Sequence, residues 1–378
     1  MILAPIQSWS LQDHLAGYVR PLEARDIHGI VRLHSCVYGD KYRGRERSLQ
    51  ANLEKILLDN PWRTDDLPSL VFEADGEVIG CVGVLPRPMW FKGRRITAAV
   101  THSFMVEPGR RATLAAVHLV KRFFSGPQDL SLAEVNNVSR RIWESAGGHA
   151  SLLYGLRWTR PLQPGRYILS FLKNRGLPTT AAWLLEPACR FMDLVAPHIS
   201  GSYLRLQEPE GTSPAELDPQ VLCDSLPHFT GDRSLKPIYE PHGADWLMRT
   251  LTTNSRYGSF RKTVVRDGAG GVRGWYLYFM RPNGVVEVAQ LAAGRDSVDA
   301  VLDHLFYEAK EQGAIAVTGQ VDPALFRNLA EQSCLFHHAG DAWLMLHSRD
   351  ADILHTLEAG EAFLTRLEGE WWISSILG

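Results

Sequence analysis

Arg110 and Arg111 stand where a β-rich run gives way to a helical pattern, and that placement suits an anion. Residues 97–106 (TAAVTHSFMV) read as a strand, Glu107-Pro108-Gly109 breaks it, and an apolar helix follows to Phe124. A helix N-terminus offers free N–H groups and the positive end of the helix dipole, and guanidinium groups add paired donors. The same two arginines could instead be a solvated helix start. His102 lies just upstream. An imidazole titrates near neutrality, so His102 is a candidate general base; the alternative is a histidine hydrogen-bonded within a sheet. Glu134 ends the next strand, where a carboxylate facing the same cleft could bind or deprotonate an acceptor.

These groups need a scaffold. Residues 18–22 read as a strand, and a helix follows with Ile27, Ile30, Val31, Leu33 and His34 at helical spacing. A second helix covers 49–58 and stops before Asn60-Pro61. Two β-rich runs flank Asp75-Gly76, a hairpin signal. The long strand 94–106, the helix 111–124, the strand 130–135 and a helix over 138–146, capped by Gly147-Gly148, come next. Residues 152–162 are expected to close this unit as a strand or hairpin.

Beyond Pro161 the pattern changes. Apolar helical stretches at 167–172 and 181–195 are bounded by prolines and read as a connector packed between two domains. Its many apolar residues also fit a segment lying on a membrane, but Arg190 and Asp193 interrupt that face. The second half then repeats the first in outline: a hairpin around residues 267–271, a long strand 284–293, a helix, a strand, a helix and a strand at 343–346. Trp371-Trp372 is expected to be a strand sealing a core edge. The fold class is therefore α/β, with mixed sheets in α+β layers and two tandem units. The expected boundaries are 1–162, a connector at 163–202, and 203–378. Where the first unit has clustered arginines, the second has Gly294-Arg295-Asp296-Ser297, so the phosphate-type site is assigned to the first unit.

Composition narrows the function. Lys+Arg 40 against Asp+Glu 42 gives a charge of -2 in 378 residues, so no basic surface points to nucleic acid. Five scattered cysteines without a C-x-x-C pair argue against a disulfide framework or zinc site and fit a reducing cytoplasm. His337-His338 is no metal pair, because strand neighbours point to opposite faces. No signal peptide or membrane span is expected, and neither is membrane contact.

The order strand, two helices, hairpin, long strand, turn, helix, strand, helix, strand resembles the GNAT acyltransferase fold. Val106-Glu107-Pro108-Gly109-Arg110-Arg111-Ala112-Thr113-Leu114-Ala115-Ala116 is similar to that family's coenzyme A loop, a V-x-P followed by Q/R-x-x-G-x-G/A. Residues 137–147 (NVSRRIWESAG) resemble the family's next helix. Leu114 replaces a loop glycine, and Trp143 replaces the tyrosine that protonates the leaving thiolate.

The resemblance implies two tandem GNAT-like domains and a coenzyme-A-dependent N-acyltransferase, with acetyl-coenzyme A as co-substrate and no metal. The acceptor would be a small-molecule amine or amino sugar; the oligomeric state is left open. It implies that the backbones of Phe104, Met105 and Val106 hold the pantetheine arm. The loop 110–116, Arg110, Arg111, Ala112, Thr113, Leu114, Ala115 and Ala116, would take the diphosphate, and Asn137 would bond the pantetheine. His102 is the candidate base, Glu134 a carboxylate that could bind or deprotonate the acceptor, and Tyr154 a substitute acid. A long-chain acyl donor, or ligand binding without catalysis, are the alternatives.

Overall fold

The computed structural model describes residues 17–39, 44–110, 112–198, 204, 206–254, 257–338 and 340–377. The first half runs β1 (Gly17–Pro21), α1 (Ile27–Tyr38), α2 (Glu46–Leu57), β2 (Leu70–Ala74), β3 (Glu77–Phe91), β4 (Arg94–Val106), α3 (Ala112–Phe124), β5 (Leu130–Val135), α4 (Asn137–Ser145), β6 (His149–Ala150), α5 (Leu152–Gly155) and β7 (Leu156–Pro161). Then come the connector helices α6 (Pro164–Asn174) and α7 (Thr179–Val195). The second half runs β8 (Thr212–Glu216), α8 (Pro219–Phe229), β9 (Leu235–Pro237), α9 (Pro241–Thr252), β10 (Ser259–Asp267), β11 (Val272–Met280), β12 (Val285–Ala293), α10 (Val298–Glu311), β13 (Ala316–Gln320), α11 (Phe326–Glu331), β14 (Leu335–His338), β15 (Trp343–His347), α12 (Ala351–Glu358) and α13 (Trp371–Leu377).

Local chemistry explains many of these elements. Asp75 and Gly76 both take positive φ, the conformation a tight hairpin turn demands, and they join β2 to β3. In α1 the buried residues are Ile27, Ile30, Leu33 and His34, one face at helical spacing. The α4 cap is Asn136, whose side chain accepts from the backbone N–H groups of Val138 and Ser139.

Two mixed sheets result, ordered β1-β2-β3-β4-β5-β15-β6, with β9 added on β3, and β14-β7-β13-β12-β11-β10-β8. The halves exchange strands. Residues 156–161 do not close the first sheet: β7 pairs with β13 and β14 of the second. In return β15 pairs with β5 and β6 of the first. One apolar core lies under α3 and α4 on the first sheet, around Leu119, Phe123 and Trp143. A second lies under α10 on the other sheet, around Leu302, Leu305 and Phe306. The largest core joins the halves, bringing Leu132 and Ile27 together with Leu277, Phe279 and Trp372.

Two further expectations change. Trp371-Trp372 begins a helix, not a strand; Trp372 is buried and meets Trp246 edge-on. A short apolar run carries no period long enough to separate the two states. The connector is not packed between domains either: most apolar side chains of α7 are exposed. No helix among the described residues is long and apolar enough to cross a membrane.

Candidate active site

β4 and β5 pair in parallel over only three positions, Ala98↔Leu130, Ala99↔Ser131 and Val100↔Leu132. β4 then continues to Val106 and β5 to Val135, but they no longer pair. No other strand among the described residues takes that side of β4. Backbone groups along 101–106 on the β5 side therefore lack a ladder partner, and such groups need another acceptor or donor.

A bulge shapes the same stretch. Cys81 faces Met105 while Gly83 faces His102, so β4 carries one extra residue, and Ser103 adopts φ 50°. The bulge folds His102 onto Gly83, where a Cβ would overlap the imidazole. His102 is buried, its Nε2 has no hydrogen-bond partner, and burial pushes its pKa down to about 3, with nearby His34 adding to the shift. An imidazole so enclosed cannot meet an incoming amine. The structure therefore does not give His102 the access that a general base needs.

Phe104 and Val106 turn toward the α3 side of the sheet, while Met105 enters the core between the halves. The turn after β4 is a short 3-10 segment, Pro108–Arg110, and α3 starts at Ala112. Arg111 lies outside the described residues, as do the side chains of Arg110, Ala112 and Thr113. Ala115 and Ala116 are buried on the inner face of α3, whereas Leu114 is 66% exposed. Trp143 points into the α3–α4 core and packs edge-on against Phe124, so α4 brings no phenol to the split.

Asn137 is held by β15 and its approach: its Oδ1 accepts from Trp343 Nε1 at 2.8 Å, and its N–H donates to Asp341 at 2.8 Å. Tyr154 is also committed elsewhere. Its hydroxyl donates to Ala362 O at 2.8 Å and accepts from Ala362 N at 3.0 Å, and burial raises its pKa. It anchors the C-terminal segment, and its hydroxyl is not free to act as the substitute acid.

Glu134 lies on the stretch of β5 that no longer pairs with β4. Its backbone N–H donates to Glu370 Oε2 at 3.0 Å. Glu134 also lines a cavity of about 20 Å³ with Tyr154, Arg157, Gln320, Leu344 and Arg366, away from β4. Arg366 is buried, and burial lowers its pKa to about 10. Burial holds the Glu370 carboxyl well above the usual carboxylate range, and the Glu134 charge pushes it the same way. Sequence reasoning missed Glu370. The signal available was an acid between Gly369 and Trp371-Trp372 in an apolar tail.

The second sheet splits as well. β12 and β13 pair only from Val285↔Ala316 to Glu287↔Thr318. There the chain's own C-terminal segment fills the gap: Gln320 Nε2 donates to Leu364 O at 3.1 Å, and Gln290 Nε2 donates to Glu368 at 3.2 Å. Tyr239, Thr365 N–H and the Thr365 hydroxyl complete the bonds to the Glu368 carboxylate. A cavity of about 530 Å³ remains at the mouth, lined by Ala292, Gly294, Arg295 and Asn328. Both arginines there are paired, Arg295 with Asp232 at 2.6 Å and Arg233 with Asp322 at 2.7 Å. Among the described residues no group of three side chains could hold a metal ion.

Known proteins resemble this chain in shape and not in sequence. No protein-family model matches it. Neither does any curated protein. Among solved structures, an Enterococcus faecalis protein described as a probable N-acyltransferase superposes with a TM-score of 0.57 at 11% identity, covering 88% of this chain and 73% of its own. A GCN5-related N-acetyltransferase from Anabaena variabilis gives 0.54 at 14% identity, covering 87% and 72%. One from Kribbella flavida gives 0.55 at 12%, covering 89% and 71%. The fold is thus the one seen in GCN5-related N-acetyltransferases.

Proposed function

We propose that the protein is an N-acyltransferase that moves an acyl group, acetyl in the first instance, from a coenzyme A thioester to the amine of a small molecule or amino sugar. The observation that carries this is the difference between the two splits. The second holds residues 364–368 across Gln320 and Gln290, while the bulged β4 edge of the first has no paired strand among the described residues beyond Val100↔Leu132 and has Glu370 on the Glu134 N–H of β5. A thioester arm laid along 104–106 would find backbone donors there, and the N-terminus of α3 with Arg110 and Arg111 would take a diphosphate.

The amine nitrogen attacks the thioester carbonyl carbon, the carbon–sulfur bond breaks, and sulfur leaves as thiolate. The proton lost by nitrogen passes to Glu370, directly or through a water. That transfer needs a base at the split, and Glu370 is the carboxyl whose Oε2 stands at the Glu134 N–H there. With Tyr154 committed to Ala362 and Trp143 buried, the thiolate takes its proton from solvent.

The test combines calorimetry with a free-thiol assay. Purified protein should bind acetyl-coenzyme A, and Arg110→Ala with Arg111→Ala should weaken binding at least tenfold. Unchanged affinity in that double variant would overturn the assignment. A series of acyl chain lengths, read by thiol release, identifies the donor.

A further inference from the structure

α6 and α7 form a helical hairpin whose polarity is inverted. On α7, Trp183 is 72% exposed, Leu184 70%, Phe191 69% and Leu194 70%, with Leu185, Met192 and Val195 also exposed. At about 100° per residue these positions cover about 200° of the helix circumference. The remaining arc carries Ala182, Glu186, Cys189, Arg190 and Asp193. Asp193 is turned inward and only 7% exposed, accepting from the backbone N–H groups of Gly165 at 2.7 Å and Arg166 at 3.0 Å. A Cβ at Gly165 would overlap the Cys189 carbonyl, so the two helices touch backbone to backbone. Asp193 and small residues such as Ala182 face in, and large apolar groups face out. On α6 Ile168, Phe171 and Leu172 are exposed as well.

This explains why the sequence pattern argued against a membrane. Arg190 and Asp193 interrupt the apolar run in order, but on the helix they leave the outer arc intact. A helix–helix seam uses a narrow stripe, so a 200° arc suits a fluid apolar phase better than a second protein surface.

The charges choose the kind of surface. The hairpin carries Arg166, Lys173, Arg175 and Arg190 against Glu186 and Asp193, in a chain of net charge -2. Glu186 is bridged by Arg190 at 2.7 Å, and Asp193 is spent on Gly165 and Arg166. Lys173 and Arg175 are left exposed at the turn, Arg175 lying over the Phe171 ring at 4.5 Å. An apolar arc with basic residues at its edge is the pattern of a helix lying in the plane of an anionic bilayer. We propose that the α6–α7 hairpin is a peripheral docking device that inserts its outer apolar arc into the headgroup region of an anionic lipid membrane. This role is independent of acyl transfer.

The test is co-sedimentation of the full chain with vesicles of phosphatidylcholine alone or with phosphatidylglycerol added, and sedimentation velocity without lipid. The protein should partition at least tenfold more strongly onto the anionic vesicles, and less so at higher salt. Trp183→Ser with Leu184→Ser and Phe191→Ser should abolish binding, and Lys173→Glu with Arg175→Glu should remove the preference for anionic lipid. These side chains are exposed, so each variant should keep the parent's melting temperature, which is checked first. Failure to sediment with either vesicle overturns the proposal. So does equal partition onto both, or a dimer that the apolar variant dissolves while vesicle binding stays nil.

Discussion

Glu370 reaches across from the C-terminal tail to accept the backbone N–H of Glu134 at 3.0 Å, 236 residues earlier in the chain. Through this bond the end of the chain takes part in the split of the first sheet. Glu370→Gln keeps an acceptor oxygen for that N–H but cannot take a proton. Turnover should fall by about 10²–10⁴, with donor affinity little changed. Equal loss of affinity and turnover would point to a collapsed split.

The same carboxyl makes stability depend on pH. Burial raises both Glu370 and Glu368 above the ordinary value of 4.5. The folded state therefore holds these protons more tightly than the unfolded chain. Stability from this source is complete below about pH 4.5 and is lost as pH rises through the raised values. Melting of Glu370→Gln should decline less steeply than the parent between acid and neutral pH. A steeper decline would reverse the sign and refute this account of the site.

His102 should behave as a packed residue. Gly83→Ala drives a methyl into its ring and should cost about 1–3 kcal/mol of unfolding free energy. Adding His102→Ala should recover part of that loss, since the two sites share one volume. A pH–rate profile of His102→Ala that lost its lower limb would restore the histidine as the base.

Tyr154→Phe removes the hydroxyl that serves both Ala362 O and Ala362 N. Leaving two buried groups unpaired should cost about 1–3 kcal/mol each. The deficit should show in denaturant unfolding and not in the chemical step. A turnover defect without loss of stability would return Tyr154 to the catalytic set.

A fragment ending at residue 162 should not fold. It would lack β15, which pairs between β5 and β6, and its own β7 would have no sheet to join. Co-expression with 163–378 should rescue both pieces. A monomeric 1–162 fragment with native-like amide protection would show that the exchange is dispensable.

What the sequence disclosed was local. Asp75-Gly76 announces its hairpin because turn chemistry needs only two residues. The α1 face and the long β4 strand follow from spacing and residue type. The strand exchange left no trace, because β7 and β15 carry the same β pattern whichever sheet receives them. The burial of His102 depends on Gly83 across the sheet, not on anything beside it. The cap of α4 fell to Asn136, one residue from the asparagine the family pattern marks, which β15 holds instead. Glu370 was invisible because its meaning lies in where a distant backbone stands.

The exchange also limits how the molecule can breathe. Each half grips a strand of the other in its interior, like clasped fingers, so the halves cannot swing apart without tearing backbone ladders. For the proposed acyl transfer, an amine would then have to be admitted by small local movements at the rim of the first split, with the size limit of a fixed doorway, not of a jaw.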